Sequence, residues 1–231
     1  QDMATLPAAI RLDQMNLIAV IEQAGGRIAL VRLADGRILR VRQGDRLEDA
    51  VVAGLDDRAL YDKAVAQWRK RLPAFVYQQA DGPLPVVPPD CAKTDEQLIA
   101  YWEGQKTFVD GHAQETCRDL EHTAYGLAAF INVAETAYLQ GQDLYGEESK
   151  RLRDGMEFHT AAKNQTTTPD WLCGGKLIGD LNGTFEVAYN HYVNRQNQTL
   201  PQTEQWLLQR RPAKGYFHYL WETLTHADTG A

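Results

Sequence analysis

The pattern of apolar and polar positions changes once along the chain, from short extended runs to helical repeats. Three runs with the composition of β-strands cover residues 17–21, 27–33 and 37–42. Asp35-Gly36 lies between the last two runs and is typical of a tight hairpin, because both turn positions need positive φ. In the third run Leu39 and Val41 alternate with polar Arg40 and its neighbours, which indicates a strand with one wet face. We therefore predict a small antiparallel β-meander in residues 1–55.

From residue 56 onward the apolar positions recur every three or four residues, which is the helical period. Asp56-Asp57 can cap a first helix in which Leu60, Ala64 and Trp68 repeat, and Pro73 is expected to end it. This change of period predicts a second, helical domain over residues 56–231.

Two local signals divide the helical part. Residues 81–90 contain four prolines and predict an extended loop. Thr94 and Gln97 form a capping box, in which the hydroxyl and the amide each satisfy an orphan backbone donor of the next helix. Further helices are predicted over residues 147–162, 184–195, 202–210 and 216–226. The predicted fold class is mainly α, preceded by a small antiparallel β segment.

The segment from about residue 113 to 140 carries the most informative helical pattern. One stripe at steps of three and four is a core-facing apolar seam, formed by Cys117, Leu120, Ala124, Leu127, Ile131, Ala134 and Tyr138. The neighbouring stripe begins with groups that carry charge or transfer protons, namely Glu115, Arg118, Asp119, His122 and Tyr125. It continues through Ala129, Asn132 and Thr136, and with Gly126 it is expected to leave room for a ligand. The alternative is an exposed ion-pair network, since these side chains meet at i,i+3 and i,i+4 spacing.

The charge of the chain limits its function classes. A net charge of −7 argues against nucleic acid as the main partner, because a phosphate backbone requires a basic stripe. An acidic substrate would need a local basic cleft, for which the candidates are Lys106, Arg118, Arg195, Arg210, Arg211 and Lys214. No apolar run approaches the roughly 18 residues of a transmembrane helix.

The cysteines and the first residues bear on compartment. Cys91, Cys117 and Cys173 form no CxxC pair, so a zinc site is not indicated. Three buried thiols are preferred here over one disulfide with a free thiol, although both remain open. The first residues lack the pattern of a signal peptide, but one could have been removed.

Two parts of the chain resemble known families. FVDGHAQETCRDLEHTAYGLAAFINVAETAYLQGQDLYGEESKRL, together with YDKAVAQWRKRLPAFVY, WLCGGK, FEVAYNHY and WETLTHA, is similar to the alginate lyase family over about residues 57–228. The stretch from Gln114 to Gly126 is the most specific part of that resemblance. Residues 10–50 more weakly resemble the small β domains of PilP-like pilus and secretion accessory proteins. The first resemblance implies an α/α toroid, here incomplete, and a periplasmic or secreted protein.

The lyase resemblance also implies a reaction, the β-elimination of 4-linked uronates in mannuronate-rich alginate. By similarity, Tyr125 is expected to transfer the proton, with Arg118 as its charge neighbour seven residues earlier. His122 is the rival base, and Asp119 is expected to orient it or to hold Arg118. The family also uses an Asn-His pair before this helix; here Asn190-His191, further along the chain, is a substitute whose alternative role is structural.

The remaining expectations concern binding. Substrate contacts are assigned to Gln114, Glu115, Asp119, Lys106, Trp102 and Arg195. Neither a metal nor a cofactor is expected, and the expected partner is an acidic polysaccharide such as alginate. Residues 57–231 supply only about half the helices of a toroid, so a partner chain or a further segment is expected to complete the cleft. The alternatives are an acidic-polysaccharide-binding protein without activity, or a pilus or secretion accessory module.

Overall fold

The computed structural model describes residues 15–23, 26–33, 36–42, 45–47, 50–51, 58–213 and 222–227. The chain divides into two compact units, residues 1–64 and 65–231. The fold is mainly helical with a small three-stranded antiparallel sheet, as predicted. The boundary predicted after residue 55, and the predicted Asp56-Asp57 cap, lie outside the described residues.

The first unit contains the predicted antiparallel strands. They are β1 (Met15–Gln23), β2 (Gly26–Leu33) and β3 (Ile38–Val41), paired in that order, and two short paired strands, β4 (Arg46–Leu47) and β5 (Ala50–Val51). The predicted hairpin between β2 and β3 closes with Gly36 at φ 85°, and the Gly36 amide donates to the Leu33 carbonyl at 2.9 Å. Val41 is buried whereas Ile38 is exposed, which confirms one wet face.

The helices follow the predicted order. They are α1 (Arg58–Phe75), α2 (Asp95–Tyr101), α3 (Leu120–Leu139), α4 (Leu144–Glu147), α5 (Ser149–Asn164), α6 (Glu186–Tyr189), α7 (Pro201–Arg210) and α8 (Glu222–His226). α6 continues directly into a π-helical stretch, Asn190–Arg195. α3 packs against α4, α5 and α6, and α5 packs against α7, so α3 is the central helix of the second unit.

Two local predictions needed correction. Pro73 does not end α1, which continues to Phe75; only one amide donor is lost in the last turn, and the buried Leu72 and Ala74 on either side hold the helix. The capping box at α2 is half formed. The Thr94 hydroxyl accepts the Gln97 amide at 3.3 Å, but the Gln97 side chain accepts from Lys93 rather than from Thr94.

The central helix starts later than predicted. α3 begins at Leu120 with Asp119 as its N-cap, so Glu115 and Arg118 lie in the preceding turns rather than on the helix. Those turns are held by a short-range bond, since the Thr116 hydroxyl bonds to the Ala113 carbonyl at 2.7 Å. The prediction failed because the Asp119 side chain caps the first turn at the His122 amide, so the helix begins there although the helical spacing of the sequence extends further back.

The predicted seam is confirmed along α3. Leu120, Ala124, Leu127, Ile131 and Ala134 are all buried. Its two ends differ, because Tyr138 is exposed and Cys117 precedes the helix.

Gly126 does not leave the room that was expected for a ligand. A Cβ on Gly126 would lie 2.2 Å from Phe75 Cζ, so the glycine admits the Phe75 ring instead. Within the part of the chain that the structure describes, no helix has the length and hydropathy needed to cross a membrane.

The preference for three buried thiols was wrong. Cys117 and Cys173 form a disulfide with a Cα–Cα distance of 5.0 Å, and Cys91 is an exposed free thiol. The bond joins residues that are 56 positions apart. No sequence spacing indicated this pair, because only the packing of the loop after α5 against the start of α3 brings the two sulfurs together.

Candidate functional site

An aspartate and a histidine are joined at the N-terminal end of α3. One carboxylate oxygen of Asp119 accepts the His122 amide at 2.8 Å. His122 Nδ1 lies 2.8 and 2.7 Å from the two carboxylate oxygens of Asp119. An ionised carboxylate can only accept, so Nδ1 carries the proton of the neutral ring and Nε2 holds the free lone pair. Asp119 thereby fixes both the orientation and the tautomer of His122.

The charge state of Asp119 suits this role. Partial burial opposes ionisation, but the backbone and ring hydrogen bonds from His122, with the charges of His122 and Arg118, outweigh it and lower the pKa of Asp119 below its ordinary value. Asp119 therefore remains a carboxylate at neutral pH and can stabilise a protonated His122. Among the described residues, the Asp119 carboxylate is the side chain that forms hydrogen bonds with the His122 ring.

Arg118 and Tyr125 lie beside this pair. Tyr125 stands one turn after His122 on α3, a spacing that puts their Cβ atoms about 5–6 Å apart, and 57% of Tyr125 is exposed. Arg118 is half exposed and reaches Glu115 at 3.5 Å, the outer limit of a hydrogen bond. The start of α3 thus presents a half-exposed imidazole, a phenol and a cation to solvent.

The same face of α3 stays exposed along the helix. Ala129, Asn132 and Thr136 are all exposed, and Thr136 bonds back to the Asn132 carbonyl at 2.8 Å. The predicted second stripe therefore exists from His122 onward as one continuous exposed surface. Its chemical groups are concentrated in the first turns.

The predicted Asn190-His191 pair lies at the other end of α3. His191 is buried and stacks on Tyr145, with ring centroids 3.9 Å apart and an interplanar angle of 19°. It meets Tyr138 edge-on at 4.8 Å, and its Nε2 lies 2.9 Å from the Gln196 amide nitrogen. Burial lowers the pKa of His191, and Glu135 only partly opposes this effect. His191 is thus a neutral ring packed among aromatic side chains.

Asn190 and Arg195 are engaged in the same region. Asn190 donates to the His226 carbonyl at 2.9 Å and so holds α8. Arg195 binds both carboxylate oxygens of Glu135, at 2.9 and 3.2 Å, and its guanidinium lies over the Tyr138 ring. Both charged side chains are mostly buried. These contacts agree with the structural role that was the alternative interpretation of Asn190-His191.

The structure does not bring the two parts of the predicted catalytic set together. His191 contacts Tyr138, which lies thirteen residues after Tyr125 on the same helix. At about 1.5 Å of rise per residue, this separation is roughly 20 Å. Tyr125, Arg118 and His122 therefore cannot act on the same sugar bond as Asn190 and His191.

The predicted substrate contacts also separate. Trp102 is fully buried between Phe108 and His112, so its ring offers no face to a sugar. Gln114 is 5% exposed, and its amide donates to the Tyr101 carbonyl. Lys106 is exposed, and Glu115 lies beside Arg118. Of the six predicted contacts, Glu115 and Asp119 lie at the start of α3, and Lys106 is exposed elsewhere in the sequence.

One residue that supports the candidate site was not predicted. His159 of α5 is fully buried, and its Nε2 lies 2.8 Å from the Thr116 hydroxyl. It therefore fixes the turn that leads to Arg118 and Asp119. Burial lowers the pKa of His159 to about 4. The only available signal was its apolar helical neighbourhood, which also fits an ordinary core histidine.

The geometry is the main guide to function. Within the described residues, no group of three or more His, Cys, Asp or Glu side chains is arranged to hold a metal ion. Comparison with protein-family models, with curated proteins and with solved structures finds no match to this chain. The family resemblance seen in the sequence therefore enters below as a proposal.

Proposed function

We propose that this protein is a polysaccharide lyase that cleaves 4-linked uronate polymers, with mannuronate-rich alginate as the substrate class. The observation that carries the proposal is the Asp119–His122 pair on an exposed helix face, next to Tyr125 and Arg118. The Gln114–Gly126 motif supports the same assignment. We also propose that the helices form part of an α/α toroid, completed by a further segment or a partner chain.

The reaction needs three tasks that these residues can perform. A cation close to the uronate carboxylate makes the C5 proton more acidic, and Arg118 is assigned this task. His122 accepts the C5 proton at Nε2, and Asp119 stabilises the resulting imidazolium. The electrons of the C5–H bond form the C4=C5 double bond, and the C4–O4 bond breaks. Tyr125 donates its proton to the departing O4.

This assignment changes the order of the predicted roles. The sequence favoured Tyr125 as the proton-transfer residue with His122 in support. The bond from Asp119 orients the His122 ring, which favours His122 as the base and leaves Tyr125 as the acid. Asn190 and His191 are left out, because both are buried and engaged roughly 20 Å away along α3.

The disulfide supports the proposed compartment. Protein disulfides persist mainly in oxidising compartments such as the periplasm or the cell exterior. The Cys117–Cys173 bond therefore supports a periplasmic or secreted location for the proposed lyase.

A second function is favoured by one observation. The Asn-His pair lies at the other end of α3 and does not reach the proposed site, where it was expected to help neutralise the substrate carboxylate. A protein of this kind would bind acidic polysaccharide without cleaving it. The distinction rests on turnover, since both functions predict binding.

The test is to incubate the protein with polymannuronate and to record far-ultraviolet absorbance of the unsaturated product. We expect the absorbance to rise with the wild type. His122→Gln should slow the rise by about 10²–10⁴-fold, which is the usual contribution of a general base. Tyr125→Phe should slow it strongly, whereas Tyr138→Phe, on the same helix but beside the buried His191, should not.

The outcomes separate the two functions. Binding without any rise in absorbance, in a folded protein, rejects the lyase and supports the binding protein. A rise that His122→Gln leaves unchanged rejects His122 as the base. Circular dichroism on each variant confirms that any loss is not caused by unfolding.

A further inference from the structure

The loop after α5 runs across the N-terminal end of α3. We call residues 173–179 of this loop the strap. Its first residue, Cys173, is bonded to Cys117, and the carbonyl of Ile178 accepts the amide of Leu120, the first residue of α3, at 2.8 Å. The residues between these two anchors therefore lie alongside Arg118 and Asp119.

Two further contacts fix the end of the strap. Gly179 lies so close to Glu121 that a Cβ would be 1.7 Å from a carboxylate oxygen. Its φ of 84° also belongs to the left-handed region that favours glycine. The Gly179 carbonyl accepts from Lys163 at 3.2 Å. Leu172 and Leu181, just outside the strap, are buried, so both ends are embedded in the core.

The strap brings cations to the candidate site. Lys176 lies between the two anchors and is exposed. Gln105 accepts the Cys173 amide at 3.5 Å, which places the neighbouring exposed Lys106 near the first anchor. Arg118 directly follows Cys117. Neither Lys106 nor Lys176 forms an ion pair with any residue that the structure describes.

Two acids beside the strap are engaged, whereas the carboxylates of Glu121 and Asp170 lie against Gly179 and Gly175 of the strap. Glu115 is paired with Arg118, and Asp119 with His122. In a chain with a net charge of −7, Lys106 and Lys176 are exposed and form no ion pair with a described residue, so their charges remain available to an anionic ligand. The sequence alone did not point to Lys176, because nothing in its spacing relates it to Arg118.

We propose that Lys176 is a specificity-determining residue that binds a carboxylate of the anionic polysaccharide, and that the disulfide-anchored strap is the second wall of its binding cleft. This inference rests on the proposed function for the class of ligand. The carboxylate would receive charge-assisted hydrogen bonds from the Lys176 ammonium.

The test is calorimetric binding of mannuronate oligomers of defined length to the full chain. We expect Lys176→Gln to weaken binding about tenfold to a hundredfold, as for one hydrogen bond to a charged group. Lys70→Gln is the matched control. Lys70 is exposed on α1, and Trp68, two residues before it, bonds to Phe130, ten residues beyond Leu120 on α3. Ten residues of helix span roughly 15 Å, so Phe130 and the neighbouring part of α1 lie about that far from the strap.

A second arm tests charge recognition. Oligomers whose carboxyl groups have been reduced to alcohols should bind the wild type and Lys176→Gln equally weakly. Mannuronate binding that is the same for Lys176→Gln and the wild type, or no binding by the wild type, overturns the inference. Cleavage that persists with unchanged affinity in Lys176→Gln rejects the inference alone. Lys176-dependent binding without cleavage rejects only the lyase.

A third arm tests the anchor. Reduction of the folded wild type by dithiothreitol should weaken binding by about the same factor as Lys176→Gln. It should have little further effect on Lys176→Gln, because both changes act on one contact. Unchanged affinity after verified reduction overturns the role of the disulfide in holding the strap.

Discussion

The two ends of α3 carry similar residue types in opposite states. At the N-terminal end, Arg118, His122 and Tyr125 are half exposed or exposed, with Asp119 as the orienting acid. At the C-terminal end, Arg195, His191 and Tyr138 surround Glu135, and all except Tyr138 are mostly buried. Each end contains an acid, an arginine, a histidine and a tyrosine.

This difference shows which of the two residue sets on α3 is accessible to a substrate. A buried cation whose hydrogen bonds are used inside the protein stabilises the fold, and its loss leaves an uncompensated charge. An exposed pair contributes little to stability, but its groups remain accessible to a ligand. The residue types are the same at both ends. Accessibility and hydrogen-bond partners therefore distinguish side chains that stabilise the fold from side chains that can act on a ligand.

The largest expected effect compares the two arginines. Arg195→Met leaves the mostly buried Glu135 without its partner and should lower the free energy of unfolding by about 3–5 kcal/mol. Arg118→Met breaks a half-exposed pair and should change it by less than about 0.5 kcal/mol. Urea unfolding of both variants measures the difference. Equal losses would mean that the two ends do not differ in the way described.

The next effect concerns pH and the buried histidines. Burial lowers the pKa of His112 to about 3, with the charge of His159 adding to the effect, and lowers that of His159 to about 4. The unfolded chain takes up these protons near pH 6.5, whereas the folded chain does not. Their stabilising effect is therefore complete above about pH 6.5 and is lost as the pH falls toward 4. Each contributes a slope of up to about 1.4 kcal/mol per pH unit.

Urea unfolding at several pH values between 7 and 4 measures this slope. His191, which is also buried with a lowered pKa, acts in the same direction. A flat profile in the wild type would contradict the neutral state of the buried histidines.

A smaller effect tests the packing of α3 at Gly126, near the N-terminal end of the helix. Gly126→Ala forces a Cβ against the Phe75 ring and should destabilise the fold by about 1–3 kcal/mol, as other overpacked sites do. Ala129→Gly, one turn later and exposed, should cost only about 0.5–1 kcal/mol. Thermal unfolding compares the two. A neutral Gly126→Ala would mean that α3 is loosely packed there, which would restore the room first predicted for a ligand.

The smallest effect is one of reactivity. Diethylpyrocarbonate should modify His122 much faster than His191, because His122 is partly exposed and His191 is fully buried. Peptide mapping by mass spectrometry gives the two rates. Faster modification of His191 would reverse the assignment of the accessible and the structural end.

The sequence determined the secondary-structure elements better than the roles of the residues on them. Runs of strand-forming residues and the Asp35-Gly36 turn placed β1 to β3, because they record local backbone preferences. The three-and-four pattern placed the seam from Leu120 to Ala134, because it records which side of a helix faces apolar surroundings. Asp119 was recognised as a partner of His122 because the two lie three positions apart, a local distance. The start of α3 was misplaced, since capping replaces helical bonds without changing the spacing.

Only the tertiary structure decided which groups are accessible. Helical spacing could not show that Trp102 is buried, that Asn190 holds α8, or that Cys117 meets Cys173 across 56 positions. Such facts depend on contacts between distant segments, which a local pattern does not encode. The sequence by itself thus supplied the residues at the start of α3, and the packing of the strap and the burial of the other end selected them as the candidate site.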